Sequence, residues 1–512
     1  MRLEIGLLIY LAVLLPLYFC VPKRAQRGVL LAFCVAFYAF DGWRSLTVLT
    51  VLWAMNYLAG RLIGRMIARR NATLLAHRED GSWDKATRRS YRDRAQRRER
   101  AACAAFVAVD VVALLASKMA FVGEWMRPLG LAFVALSAVS YLCDVTREQI
   151  APEQNAAHFA LYIFYFPQMW QGPINRYGEL LPQLVAHHCF DGRRVTEGAL
   201  RALWGCVKKL VVADTAAVAV GAVLARGASL GGTATVLLVL LYSVQIYADF
   251  TGGMDVALGI SHILGISLYE NFDRPFGATS LADYWRRWHR SLGRFFTDYV
   301  FYPLSVSRPS QWLARRGGRP GARLPLYLAM LGTWSLTGIW HGLSWNFVAW
   351  GLGNALVLLL ERETAAWRER MSRRCPRLAR SRVLRALSCL GTLTLVGLLR
   401  MLDLHPSVAY TARLWIGVFD GASWSRLLDG ELWLSLGLGG AEWCLLGVGV
   451  VLMWAVGHAT PRLSDDRPPL RVRIAAHPYL AAVLCALAVC AVVVFGRYGI
   501  GYEATDFIYG RF

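Results

Sequence analysis

One imidazole stands in an aromatic run. The stretch Gly338-Ile-Trp-His-Gly-Leu-Ser-Trp-Asn-Phe-Val-Ala-Trp-Gly351 carries His341, with Trp334, Trp340, Trp345 and Trp350 around it in sequence. Water-poor surroundings disfavour a charged imidazole and leave a neutral ring that can accept a proton. A second histidine ends Asp283-Tyr-Trp-Arg-Arg-Trp-His289. A hydroxyl is a poor nucleophile until its proton is removed, and a positioned histidine does this in acyl transfer, an effect of about 10² to 10⁴-fold. The residues alone also allow a packing role. Gly338 and Gly342 form a GxxxG pair that admits a close helix neighbour, a lone buried histidine is more often a core residue than a catalyst, and His289 would suit an interfacial aromatic belt.

Other chemistries find no support. No GxSxG elbow is present, and none of the ten histidines has an aspartate five residues later. His187-His188-Cys-Phe-Asp-Gly is one residue short of an HHxxxDG motif and reads as loop. Walker A and dinucleotide fingerprints are missing, so neither ATP nor NAD has a visible place. The eleven cysteines are scattered singly without a CxxC or a mixed Cys/His cluster, which indicates neither a metal site nor a disulfide framework.

The elements that must hold these histidines are membrane helices. A chain of 512 residues has room for three soluble domains, but 56% hydrophobic and 18% charged residues, with a mean hydropathy of +0.39, describe a chain dissolved mainly in lipid. Nearly apolar segments recur at about 3–21, 28–42, 45–63, 102–122, 129–146, 156–172, 197–225, 234–268, 324–360, 386–402, 431–457 and 478–497. Several fall short of the ~20 residues of a perpendicular crossing and read as re-entrant or internally packed. Segment 3–21 lacks a small-residue cleavage site and is followed by Lys23, Arg24 and Arg27, so it reads as a helix that is retained.

The net charge of +22 resides in short connections, not in a polar domain, which argues for topology and against nucleic acid. Residues 61–100 carry 13 Lys and Arg against 5 Asp and Glu and read as a solvated basic helix or loop. The positive-inside rule places them in the cytoplasm with the clusters at 308–323, 362–385 and 462–473. Segments 28–42 and 45–63 then form a hairpin, with the N-terminus outside. Between Arg323 and Arg362 lie 38 residues, too many for one crossing and close to the ~40 of two, which puts His341 near the tip of a tight hairpin.

Within this frame, Pro167, Gly172, Pro173 and Pro182 interrupt what would otherwise be one helix, either to line a cavity or to pack against protein. Lys208 and Lys209 sit near a helix end and read as snorkelling. Asp249, Asp255, His262 and Glu270 stand in an apolar context, where ionisable groups are costly and mark candidate sites. For Asp249 and Asp255, structural hydrogen bonding competes with substrate contact. Residues 283–303 interleave aromatics with arginines, as suits an interface or a polar passage.

Five ordered blocks carry a family resemblance: FYFPQMWQGPINRYGELLPQL (164–184), DFTGGMDVALGISHILGI (249–266), ENFDRPF (270–276), YWRRWHRSL and GIWHG. Together they resemble the membrane-bound O-acyltransferase family, and in particular its bacterial polysaccharide (alginate-type) O-acetylase branch. The resemblance is strong over 155–361 and loose over most of the chain. It implies an all-α polytopic fold of about 11–13 transmembrane helices, with re-entrant or interfacial helices around a central passage. One integral membrane domain is expected in three parts: N-terminal helices with the basic segment (1–150), a catalytic core (151–361) and C-terminal helices (362–512).

The resemblance further implies transfer of an acyl group, acetyl first, to hydroxyls of an exported cell-surface polysaccharide or a relay partner, in the bacterial cytoplasmic membrane. His341 would be the general base, and His289 would orient the acceptor or donate to developing charge. Trp285, Trp288, Asp249, Asn271 and Trp345 are the substrate-binding candidates. No bound cofactor is expected; acetyl-CoA or an acyl carrier protein thioester would be a substrate. Expected partners are the donor, the glycan acceptor, membrane lipid, and either an extracytoplasmic SGNH-type transferase or a small carrier protein. The rivals are D-alanyl transfer towards teichoic acids and, from another class, a polysaccharide or lipid transporter or flippase, since broken helices and intramembrane carboxylates also occur there.

Overall fold

Where water cannot reach the backbone, its amides and carbonyls must pair within a segment, and helices are the open solution. The computed structural model describes residues 5–119, 128–316, 318–405, 407–419 and 421–498, and every regular element among them is helical. Among the described residues, seven stretches are long and apolar enough to cross a bilayer: Trp43–Glu79, Lys85–Ser117, Gly192–Gly227, Gly232–Ile263, Arg382–Leu404, Gly440–Ala459 and Pro478–Phe495. The protein is therefore an all-α polytopic membrane protein. The stretch between the apolar segments 102–122 and 129–146 and the C-terminal end beyond 498 lie largely outside the described residues. The chain divides into two compact units, one over 5–190 with 264–268, the other over 191–263 and 269–498.

The first unit begins with α1 (Ile5–Cys20) and α2 (Lys23–Asp41), the latter starting directly after Pro22. The basic segment is helical, not loop. It forms the far half of α3 (Trp43–Glu79) and the start of α4 (Lys85–Ser117), with Asp84 capping α4 through a 2.8 Å bond from the Thr87 amide. At ~1.5 Å per residue α3 is on the order of 55 Å long, more than a bilayer needs. Two buried polar clasps hold this hairpin: Asn56 to Asp110 at 2.8 Å, and Arg70 to Glu99 at 2.7 Å.

Beyond α5 (Leu131–Thr146) the chain breaks around Pro167 and Gly172-Pro173 as expected, giving α6 (Ala156–Phe164), α7 (Phe166–Gln171) and α8 (Tyr177–Val185), whereas Pro182, also expected to interrupt, lies inside α8. The broken stretch packs against protein: Gln168 donates to Ser137 Oγ at 3.1 Å and accepts from Asn175 at 3.0 Å, and all three are buried.

The second unit opens with α9 (Gly192–Cys206), which passes through a π turn (Val207–Ala213) into α10 (Asp214–Leu230), and continues with α11 (Gly232–Ile263). Helices α9 and α11 touch backbone to backbone. A Cβ on Gly205 would stand 2.5 Å from the Gly252 carbonyl, and one on Gly198 2.6 Å from that of Gly259. The same seam corrects the snorkelling assignment. Lys208 is buried and pairs with Asp255 at 2.6 Å, while Lys209 bridges Asp249 at 2.6 Å and Asp214 at 2.9 Å.

Next come the short helices α12 (Leu281–Arg287) and α13 (Arg290–Phe296), then the expected hairpin of α14 (Leu324–His341) and α15 (Trp345–Glu363). Here the glycines face the partner helix of the hairpin: a Cβ on Gly338 would strike the Phe347 carbonyl, and one on Gly351 that of Trp334. The unit ends with α16 (Arg382–Leu404), α17 (Val408–Gly417), α18 (Gly440–Ala459) and α19 (Pro478–Phe495).

Candidate active site

His289 sits at the break between α12 and α13, outside the membrane-crossing helices. Ser280 caps α12 by accepting from the Asp283 amide at 3.1 Å. The free amides of Leu281 and Ala282 donate to the Glu361 carboxylate on α15 at 2.6 and 3.0 Å, as first-turn amides favour an anion. The helix ends at Trp288, and His289 then turns into the left-handed region (φ 46°, ψ 52°). A non-glycine residue there costs about 1–3 kcal/mol and persists only where its surroundings over-determine it.

Asn271 supplies part of that constraint. Its backbone carbonyl accepts from Arg290 N at 3.1 Å and its side-chain Oδ1 from Ser291 N at 2.8 Å, while Nδ2 lies 3.7 Å from the Met254 sulfur. Asn271 thus clamps the turn that carries His289.

The His289 ring is 3% exposed. The edge of Phe250 lies against it at 4.8 Å between centroids, and Trp340 lies at 6.4 Å. Trp340 in turn meets His341 at 4.7 Å, so both imidazoles make ring contacts to one indole. Burial, reinforced by the Arg400 guanidinium, pushes the His289 pKa down to about 3 and keeps the ring neutral. His341, the last residue of α14, is 9% exposed, with Trp350 at 5.0 Å and Phe347 stacked at 6.3 Å. The Trp350 indole N–H is buried and has no hydrogen-bond partner among the described residues.

The other candidates divide. Trp285 belongs to the cluster: it meets Trp334 at 5.0 Å and Trp350 at 5.7 Å and donates to Asn354 Oδ1 at 3.0 Å. Trp288 stacks on Tyr284 beside His289. Asp249 is one residue from Phe250 on α11, and its carboxylate is engaged by Lys209. Trp345 stands apart, 80% exposed at the start of α15.

Around Glu270 the charges form a second network. Arg201 grips the Glu270 carboxylate with two bonds of 2.6 Å and reaches Asp255 at 2.9 Å. Burial alone would raise the Glu270 carboxyl, but the Arg201 charge outweighs it and leaves it below the usual carboxylate range. His262 lies 3.2 Å from Glu197 in the same seam.

Sequence reasoning missed Arg400, which is buried against Trp288 and Tyr284. Its signal was available: a single arginine inside the apolar run 386–402.

Fold and site together define a polytopic helical membrane protein with two histidines gathered in a buried aromatic cluster. Residues 35–388 match MBOAT, the membrane-bound O-acyltransferase family, and the chain belongs to that family. It is 32% identical over 237 residues to the probable alginate O-acetylase AlgI of Azotobacter vinelandii, covering 46% of this chain and 45% of that protein. The peptidoglycan O-acetyltransferase of Helicobacter pylori is 30% identical over 261 residues, with 46% and 47% covered. The teichoic acid D-alanyltransferase of Bacillus subtilis is 27% identical over 237 residues, with 45% and 58% covered. The chain spans about half the length of the curated relatives it matches.

Proposed function

We propose that this chain is a membrane O-acyltransferase that moves an acyl group, acetyl first, from a cytosolic thioester onto a hydroxyl of an exported polysaccharide or of a relay partner. The observation that carries this reading is the shared contact of His289 and His341 with Trp340. His341 takes the hydroxyl proton as the oxygen attacks the thioester carbonyl. When the C–S bond breaks, the imidazolium returns that proton to the leaving thiolate. His289, neutral, donates its N–H to the oxygen on which negative charge develops. The donor is acetyl-CoA or an acyl carrier protein, and the membrane is the bacterial cytoplasmic membrane, which separates such donors from surface glycans. A separate extracytoplasmic transferase or a small carrier protein completes the transfer.

The names of the relatives support this reading: one is named a probable O-acetylase and one an O-acetyltransferase, and both share more identity with the chain than the D-alanyltransferase does. The test is NMR of surface glycans from cells carrying the wild-type chain or His341→Ala at equal protein abundance. Loss of O-acetyl signals with glycan amount unchanged supports the proposal. Loss of D-alanyl signals moves the activity to teichoic acids, and a fall in exported glycan itself refutes acyl transfer in favour of transport.

A further inference from the structure

Arg400 stands in the apolar helix α16, beyond residue 388 where the family match ends. A buried cation in such a helix is costly and is retained where it has partners and a task. Its guanidinium carbon lies 4.3 Å from the centre of the Trp288 ring and 5.9 Å from that of Trp285. Nη2 donates to the Tyr284 hydroxyl at 3.2 Å, and Nη1 is 3.8 Å from Asp403 Oδ2. Tyr284 itself lies parallel to Trp288, with centroids 5.6 Å apart and planes 15° apart. One planar cation therefore engages three aromatic residues of α12 and its end, including the residue that immediately precedes His289.

We propose that Arg400 is a positioning residue of the two-histidine site: by stacking on Trp288 and binding Tyr284 it fixes the end of α12 and so the left-handed turn that aims His289. Asn271 holds the far side of that turn, through Arg290 and Ser291. The turn is thus clamped from both flanks, as a strained conformation requires. Arginine suits this post because its flat guanidinium stacks on a ring face while its edge donates in plane. The compact ammonium of lysine stacks less well and lacks that fixed fork. The catalytic consequence rests on the acyltransferase reading of His289; the positioning itself does not.

Two arms test it, both on the full-length chain. In the first, membranes holding wild type, Arg400→Lys or Arg400→Met are treated with diethyl pyrocarbonate, and modification of His289 and His341 is followed by peptide mass spectrometry. The expected result is severalfold faster modification of His289 in Arg400→Met, partial protection restored by Arg400→Lys, and an unchanged rate at His341. Equal His289 rates in all three proteins overturn the proposal, as does a matching rise at His341, which would mean general loosening. In the second arm, glycan O-acetylation falls on the order of 100-fold in Arg400→Met at equal abundance, the effect of a misplaced catalytic group, and recovers in part in Arg400→Lys. Wild-type cells lacking any glycan acylation would sink the acyltransferase reading while leaving the modification arm to decide the role of Arg400. Normal acylation in Arg400→Met would sink the role of Arg400 alone.

Discussion

Replacing Asn271 separates positioning from substrate binding. In Asn271→Ala the backbone carbonyl still accepts from Arg290, but Oδ1, the acceptor for Ser291 N at 2.8 Å, is lost. Removing such a capping oxygen costs about 1 kcal/mol. For a unit of this size that is a fall in melting temperature of only about 2 °C. The left-handed turn at His289 stores about 1–3 kcal/mol, and without its clamp it relaxes. His289 then moves, and a displacement of ~1 Å is worth about 100-fold in rate. Asn271→Asp keeps the acceptor at a helix start, where negative charge is favoured, gives up the long Nδ2 contact to the Met254 sulfur, and adds the desolvation cost of a carboxylate at a buried position. It should therefore recover activity more fully than stability. The measurements are thermal unfolding of the full-length protein in detergent and glycan acylation by NMR. An Asn271→Asp protein that melts like wild type yet is as inactive as Asn271→Ala would refute this reasoning and return Asn271 to substrate contact through Nδ2.

Lys209→Met removes the ammonium that bridges the buried carboxylates of Asp249 and Asp214 and should cost about 3–5 kcal/mol, whereas Lys209→Met with Asp249→Asn and Asp214→Asn should recover most of it, as read by thermal unfolding. Asn56 Nδ2 donates to Asp110 Oδ1 at 2.8 Å, a bond that an amide oxygen in place of the carboxylate would also accept. Asp110→Asn should then melt within about 1 kcal/mol of wild type, and Asp110→Leu, which strands the Asn56 amide, should lose about 1–3 kcal/mol. Gly205→Ala forces a Cβ to 2.5 Å from the Gly252 carbonyl and should cost about 1–3 kcal/mol. Gly221→Ala on α10, where nothing lies within 4 Å, should be neutral or stabilising by up to about 1 kcal/mol. The Glu270 carboxyl is held below the usual range by Arg201, so its contribution is complete above the unfolded value of about 4.3 and is lost as pH falls through the folded value. A melting-temperature profile across that acid window should flatten in Arg201→Gln.

Much of the scaffold was legible because its causes are local. The stretch at 164–184 broke around Pro167 and Pro173, where the rings remove donors, though Pro182 sits inside α8, and the 38 residues between Arg323 and Arg362 fold as the hairpin of α14 and α15. What failed was facing. Lys208 and Lys209 read as cations near a helix end, but their partners Asp255 and Asp249 come 47 and 40 residues later, and the π turn at Val207–Ala213 sends neighbouring lysines to different carboxylates. Trp345 is only four residues from His341, yet the turn at Gly342 carries it to the exposed face of α15. Sequence proximity across a turn says little about which side of a hairpin a ring will occupy.

The same distinction governs the site. Its two histidines come from motifs that a sequence displays, but what fixes them is dispersed: Phe250 on α11, Asn271 before α12, Glu361 and Asn354 on α15, Arg400 on α16. None of these lies next to a histidine in sequence, and each acts through a helix end or a ring face. The glycine contacts of α9 with α11 and of α14 with α15 remove the slack that side chains would otherwise leave between these elements. A close-packed frame has few intermediate positions, so the left-handed turn at His289 is either held or released. Substitutions that leave both histidines intact but loosen Asn271 or Arg400 should therefore cost activity out of proportion to stability, and substitutions in the charged seam should do the reverse.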